Sequence, residues 1–218
     1  MKLRYFSLSG LILLAAVTAF FWYRPDLPAR VPIHWGADGN INGWGSPWTL
    51  LIFPAIMGFN MALFAALPWL SPQRFSMESF QSTCFFIMLI ITALMGYVFA
   101  LVLYAALGNE MNITRAVLGG VSVLIILLGN VLGKLRRNFF IGIRTPWTLA
   151  SERVWYATHR LAGKLAVIAG VACLVITLAR LPLWLWMTAL LSGLLYPVIY
   201  SFIYYKQLER QGALEISP

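Results

Sequence analysis

At 218 residues, 61% hydrophobic and only 11% charged, the chain has far more apolar surface than a soluble domain of this length can hide. Its net charge of +9 comes from 16 Lys and Arg against 7 Asp and Glu, while two cysteines and two histidines supply no disulfide or zinc-hydrolase framework. A bilayer is the solvent that suits this composition.

Gaps between charges show where spanning helices of about 20 mostly apolar residues fit. Arg4 to Arg24 encloses 19 uncharged residues, Asp38 to Arg74 encloses 35 and Glu78 to Glu110 encloses 31. Arg115 to Lys134 encloses 18, Lys164 to Arg180 encloses 15 and Arg180 to Lys206 encloses 25. Six intervals predict six transmembrane helices in an all-α polytopic bundle. The fifth interval rises only about 22 Å, at about 1.5 Å per residue. Snorkelling of Lys164 and Arg180, with Leu161 and Ala162 added, makes it long enough.

The chain begins with Lys2 and Arg4 before a long apolar run that leads into Phe21-Trp-Tyr-Arg-Pro25 without a small-x-small cleavage pattern, so it is read as an uncleaved first helix. An outer loop from Arg24 to Pro47 follows, rich in Gly, Pro, Asp and Asn, and is expected to be turn-laden and irregular. The connections over 71–82, 108–112 and Arg180-Leu181-Pro182 are short and make neighbouring helices antiparallel. The inner loop, 133–164, carries seven of the chain's cations. Gly43-x-x-Ser-Pro-Trp-Thr-Leu50 and Gly142-x-x-Thr-Pro-Trp-Thr-Leu149 echo each other as helix starts. Ser46 or Thr145 caps the first N–H groups, and Pro47 or Pro146 takes the first helical position. Gly129-x-x-x-Gly133 is expected to pack against a small-residue face made by Ala162, Ala166 and Gly170.

With the N-terminus inside, Lys2, Arg4, Arg74, Lys134, Arg136, Arg137, Arg144, Arg153, Arg160, Lys164, Lys206 and Arg210 are cytoplasmic. Arg24, Arg30, Arg115 and Arg180 are outside, so twelve cations stand against four and both termini face the cytoplasm. The basic balance is therefore a topology signal of a multi-pass inner-membrane protein, with the lipid bilayer as partner and no direct nucleic-acid contact. The nine tryptophans fall in loops or near proposed helix ends, where amphipathic rings collect.

Chemistry is sparse. The proposed spans hold no Asp, Glu or His, which argues against an ion-coupled pump. No His-Glu-x-x-His, Gly-x-Ser-x-Gly or Ser-x-x-Lys arrangement occurs, so no catalytic residues, cofactor or metal are assigned. His34 with Asp38 supplies only two candidate metal ligands. A helix is expected to run from Pro146 toward Lys164, with Trp147, Ser151, Trp155 and His159 along one side. With Arg144, Arg153 and Arg160 flanking it, this stripe suits a helix lying in the headgroup layer, or a docking platform for a cytoplasmic partner.

The inner stretch Phe140-Ile-Gly-Ile-Arg-Thr-Pro-Trp-Thr-Leu149, followed by Val154-Trp155, Thr158-His159-Arg160 and Gly163-Lys164, resembles the signature of the SdpI family of bacterial immunity proteins. The outer stretch Val31-Pro-Ile-His-Trp-Gly-Ala-Asp-Gly39 resembles the uncharacterised N-terminal domain that often precedes that signature, with Gly36 where relatives commonly carry Asn or Asp. On this resemblance, residues 1–70 form a two-helix unit with its outer loop at 24–47. Residues 71–218 form the SdpI-like four-helix unit, with its cytoplasmic motif loop at 133–164. The resemblance implies a non-enzymatic protein that gives resistance to a secreted peptide toxin and captures a transcriptional repressor at the membrane. Partner-binding residues then include Asn138, Gly142, Arg144, Thr145, Pro146, Trp147, Trp155, His159, Arg160 and Gly163. His34, Trp35, Asp38 and Gly39 form the outer sensing loop. The alternative is a membrane enzyme, or a lipid- or solute-handling protein, using His34 and Asp38 or the Arg144-to-His159 face.

Overall fold

A computed structural model describes residues 2–214, except for the side chains of Lys2 and Arg74; both were placed among the cytoplasmic cations and lie outside the described side chains. The elements in order are α1 (Lys2–Tyr23), β1 (Val31–Trp35), β2 (Ile41–Gly45), α2 (Ile52–Leu70), α3 (Gln81–Ala106), α4 (Ile113–Leu132), α5 (Pro146–Ala150), α6 (Glu152–Leu178) and α7 (Leu183–Arg210). Among the described residues six helices are long and apolar enough to cross a membrane, and each coincides with one charge-free interval. The fifth, α6, has 27 residues, because it draws in the motif residues before Lys164. Many apolar side chains on these helices, among them Leu11, Phe59, Ile168, Val175 and Ile199, remain exposed. In water that would be costly, and against lipid tails it is what a spanning bundle shows.

The chain condenses into two compact units. The first holds the residues up to Ala65 together with Phe85–Leu124. Its core gathers Phe20, Leu27, Val31, Leu50, Met57, Phe99 and Leu103. Close approach is set by glycine: a Cβ at Gly96 would lie 2.7 Å from Ile12, so α1 and α3 cross there. Buried Asn60 donates to Thr92 Oγ1 at 2.9 Å and to the Met88 carbonyl at 3.1 Å, so its amide protons are not orphaned in an apolar core. The outer loop is not irregular as expected. Val31–Trp35 and Ile41–Gly45 pair antiparallel, with irregular register around His34. Gly36 N–H donates to the Asn40 carbonyl and Gly39 N–H to the Gly36 carbonyl, closing the reversal, and Gly39 sits at φ +87°.

The second unit holds Ala66–Cys84 and the residues from Ile125 onward. Here α4 and α6 meet as the small residues predict, with one change of partner. A Cβ at Gly129 would lie 2.8 Å from both the Gly163 carbonyl oxygen and Val167, so Gly163 and Val167 face Gly129. Ala162, Ala166 and Gly170 are buried in the same helix. Helix α7 closes on α6 at Gly193, where a Cβ would lie 2.5 Å from that of Ala169. The predicted single helix from Pro146 is two: α5 ends at Ala150, Ser151 is extended, and α6 starts at Glu152. The break is local chemistry. Ser151 caps the second helix by accepting from Val154 N–H, and Glu152 supplies a carboxylate to its first turn.

Candidate functional site

The inner motif is a tightly bonded turn built over α6. Asn138 is fully buried and satisfies its whole amide locally. Its Oδ1 accepts from Phe140 and Ile141 N–H, both at 2.8 Å, and its Nδ2 donates to the Arg136 and Ile141 carbonyls. Gly142 follows at φ +109°, and a Cβ there would stand 2.3 Å from His159 Nε2. Only glycine fits both the backbone conformation and the contact.

His159, also fully buried, ties the turn to the helix. Its Nε2 accepts from Ile143 N–H at 2.9 Å, and its Nδ1 lies 2.8 Å from the Trp155 carbonyl. An N–H on one side and a carbonyl on the other fix the neutral tautomer with the proton on Nδ1. The ring stacks on Trp155 with centroids 4.0 Å apart, and Trp155 Nε1 donates to the Leu135 carbonyl at 2.8 Å. Trp155 and His159 thus do not form the exposed stripe predicted from their spacing. They are the post around which the turn is wrapped.

Thr145 and Thr148 form a reciprocal capping box at the start of α5, with Pro146 in the first turn. Thr148 Oγ1 also donates to the Ile143 carbonyl at 2.8 Å. Trp147 leaves this turn for α7, donating Nε1 to Ser201 Oγ and meeting Phe202 edge-on. Ser151 Oγ donates to the Leu214 carbonyl, which brings the end of the described chain onto the motif. Arg137 bridges to Glu152 at 3.7 Å, donates to the Leu149 carbonyl and lies over Phe75. Exposed on this scaffold are six cations, Lys134, Arg136, Arg144, Arg153, Arg160 and Lys164, alongside one carboxylate, Glu152, and the apolar Phe139, Pro146 and Ala150. Arg144 donates to the Phe139 carbonyl, which holds its position on the surface. The arrangement presents fixed positive charge and holds no nucleophile–base pair.

The hairpin site is of another kind. His34 Nδ1 pairs with Asn42 Oδ1 across the strands, and Asp38 receives Asn40 N–H and Nδ2 at 3.1 and 2.7 Å. Those bonds, the backbone one first, hold the Asp38 carboxyl below its ordinary pKa. His34 and Asp38 are therefore engaged with two different asparagines. A Cβ at Gly36 would lie 2.6 Å from Asp38 Oδ1, so glycine leaves this turn room to close. Gly36 also accepts from Thr114 Oγ1 at the start of α4. Trp35 and Gly39 border a cleft of about 410 Å³ together with Pro32, Ile41, Trp44 and Glu110.

Several participants were not singled out from sequence: Thr148, Ser201, Asn42, Trp44 and Glu110, and Ser151 was read as part of the stripe, not as a cap. Thr148 and Ser151 had legible signals as capping residues three positions into, and one position before, a helix. Ser201 and Glu110 come from distant segments and had none.

Comparison with known proteins agrees with both segments. Residues 134–205 match the family described as the SdpI/YfhL protein family, and residues 11–58 match a domain of unknown function, DUF1648. The chain is 29% identical over 201 residues to the Immunity protein SdpI of Bacillus subtilis (strain 168), covering 91% of this chain and 94% of that protein. No solved structure matches. With six apolar spans, the motif turn and a similarity running almost end to end, the chain is similar to the SdpI family and is a multi-pass protein of the bacterial cytoplasmic membrane.

Proposed function

We propose that this protein is a non-enzymatic immunity and signalling protein that gives resistance to a secreted peptide toxin. The observation that carries the reading is the similarity to an immunity protein over 91% of the chain. The hairpin supports an outer sensing role: His34 and Asp38 are exposed, and Trp35 and Gly39 border an aromatic cleft. The motif supports a second role, capture of a transcriptional repressor, because its bonded interior displays Arg144, Arg153 and Arg160 toward an acidic partner. Asn138, Gly142, Thr145, Pro146, Trp147, Trp155, His159 and Gly163 shape that surface. Twelve cations against four support an orientation with the motif and both termini in the cytoplasm and the hairpin outside.

Expression in a sensitive bacterium, challenged with secreted peptides encoded beside the gene, tests the reading. Survival should rise without turnover of the peptide. Substitutions at His34, Trp35 or Asp38 should lower protection. Arg144→Glu with Arg160→Glu should abolish recruitment of a repressor to the membrane, since a carboxylate repels what a cation attracts. A deletion strain as resistant as its parent would sink the immunity role.

A further inference from the structure

Lys134, Arg160 and Lys164 are all exposed, and the fold crowds them together. The contact of Gly129 with Gly163 brings α4 and α6 backbone to backbone. One turn along α4, a Cβ at Gly133 would lie 3.6 Å from Arg160 Cγ, so the arginine stem rests on that glycine. Lys134 follows Gly133 in the chain, and Lys164 stands one helical turn from Arg160. Among the described residues no carboxylate answers these three: Glu152 turns to Arg137 at 3.7 Å and Glu209 to Lys206 at 2.7 Å. Like charges at this spacing repel unless an anion sits among them.

Depth selects the anion. Along α6, at about 1.5 Å per residue, Lys164 lies about 21 Å from Leu178 and Arg160 about 27 Å. The 20 residues of α4 span about 30 Å, which puts Lys134 just past its end. The hydrocarbon core is about 30 Å thick, so all three head groups reach the phosphate layer, Lys164 by snorkelling. Arg153, about 38 Å from Leu178, lies beyond that layer. Below the cations, Ile168, Val171, Val175 and Leu178 continue the same face of α6, and all are exposed. Cationic heads above an apolar stripe match a phospholipid from phosphate to acyl chain.

We propose that Lys134, Arg160 and Lys164 bind the phosphate of an anionic phospholipid whose tail lies along Ile168, Val171 and Val175. Arg160 offers a bidentate fork and the lysines two point charges. This rests on the membrane placement of α4 and α6 and requires no toxin or repressor, so it stands or falls apart from the proposed immunity role. Arg160 is common to this site and to the partner surface proposed above, whereas Lys134 and Lys164 belong to the lipid site alone.

The test is native mass spectrometry of the full-length protein in detergent, titrated with phosphatidylglycerol or with phosphatidylcholine of matched chains. Phosphatidylglycerol should bind preferentially. Lys134→Gln, Arg160→Gln and Lys164→Gln should each weaken it roughly fivefold, and together on the order of 100-fold. The swap Lys134→Arg, Arg160→Lys, Lys164→Arg should retain binding and controls for folding. Arg144→Gln with Arg153→Gln should bind lipid like the parent. Equal binding of phosphatidylcholine, or undiminished phosphatidylglycerol binding in the triple glutamine variant, would overturn the proposal. So would a glutamate-rich soluble peptide that needs all three cations while phosphatidylglycerol does not.

Discussion

The pairing of Gly142 with His159 shows how a specific residue can be required without touching any ligand. His159 Nε2 accepts the Ile143 N–H only because Gly142 leaves room for the ring, at a φ of +109°. Gly142→Ala should therefore act twice, through left-handed backbone strain and through loss of a buried hydrogen bond. Together these cost about 2–4 kcal/mol. In a His159→Ala background the same substitution should cost less, because its steric partner is gone and only the backbone strain remains. Chemical denaturation of the four proteins in detergent measures this coupling, and strict additivity would show that the ring and the glycine are independent. The motif's residue types were readable in sequence; their burial was not. Spacing of i and i+4 places Trp155 and His159 on one face of α6, but nothing local says that the preceding turn covers that face.

At the level of elements, the two short helices and the hairpin mark where local chemistry competes with hydropathy. The six spans were legible because charge in a bilayer is expensive enough that its absence marks length. The hairpin was not: β1 contains Pro32, β2 contains Gly43 and Gly45, and β2 shows no apolar–polar alternation to pair with β1, so both read as loop. Pairing is set instead by the reversal at Gly36–Asn40 and by burial of Val31 against α1 and α3 residues. The break at Ser151 was hidden because a serine mid-helix is tolerated, whereas here it caps a new helix and bonds the Leu214 carbonyl. Helix α5 therefore depends on its own start. Thr145→Ala removes half the capping box and should cost about 1 kcal/mol, and Pro146→Gly should speed amide exchange over 146–150 while α6 stays protected. Trp147→Ala should loosen α5 from α7, because the Ser201 bond and Phe202 contact go with it. All three changes should leave insertion intact, since the six spans are untouched. Loss of the folded protein from membranes would instead make α5 a folding element of the whole chain.

For the whole molecule, the decisive property is which way it lies, because every proposed role depends on the side that each surface faces. Orientation has an electrostatic and kinetic origin: short loops carrying Lys and Arg resist translocation, and acids contribute little to the bias. With twelve cations assigned to one side and four to the other, the preference is large, and seven of the twelve sit in the single loop 133–164. Helices α1, α2, α3, α4, α6 and α7 alternate direction through the bilayer, so the side of any one loop fixes all the others. A reporter that matures only where disulfides form should be active when fused at Asp38, Asn109 or Leu181 and silent at Arg74, Ala150 or Gln211. Activity at Ala150 with silence at Asp38 would reverse the map and expose the cationic motif to the exterior. The repressor role would then fall, because no transcription factor reaches that side, and the hairpin cleft would lose its access to a secreted toxin. Replacing Arg136, Arg137, Arg144 and Arg153 with glutamine should weaken the bias and produce mixed signals at the same fusion points. A strictly unchanged pattern would show that cations elsewhere in the chain, not the motif loop, set the orientation.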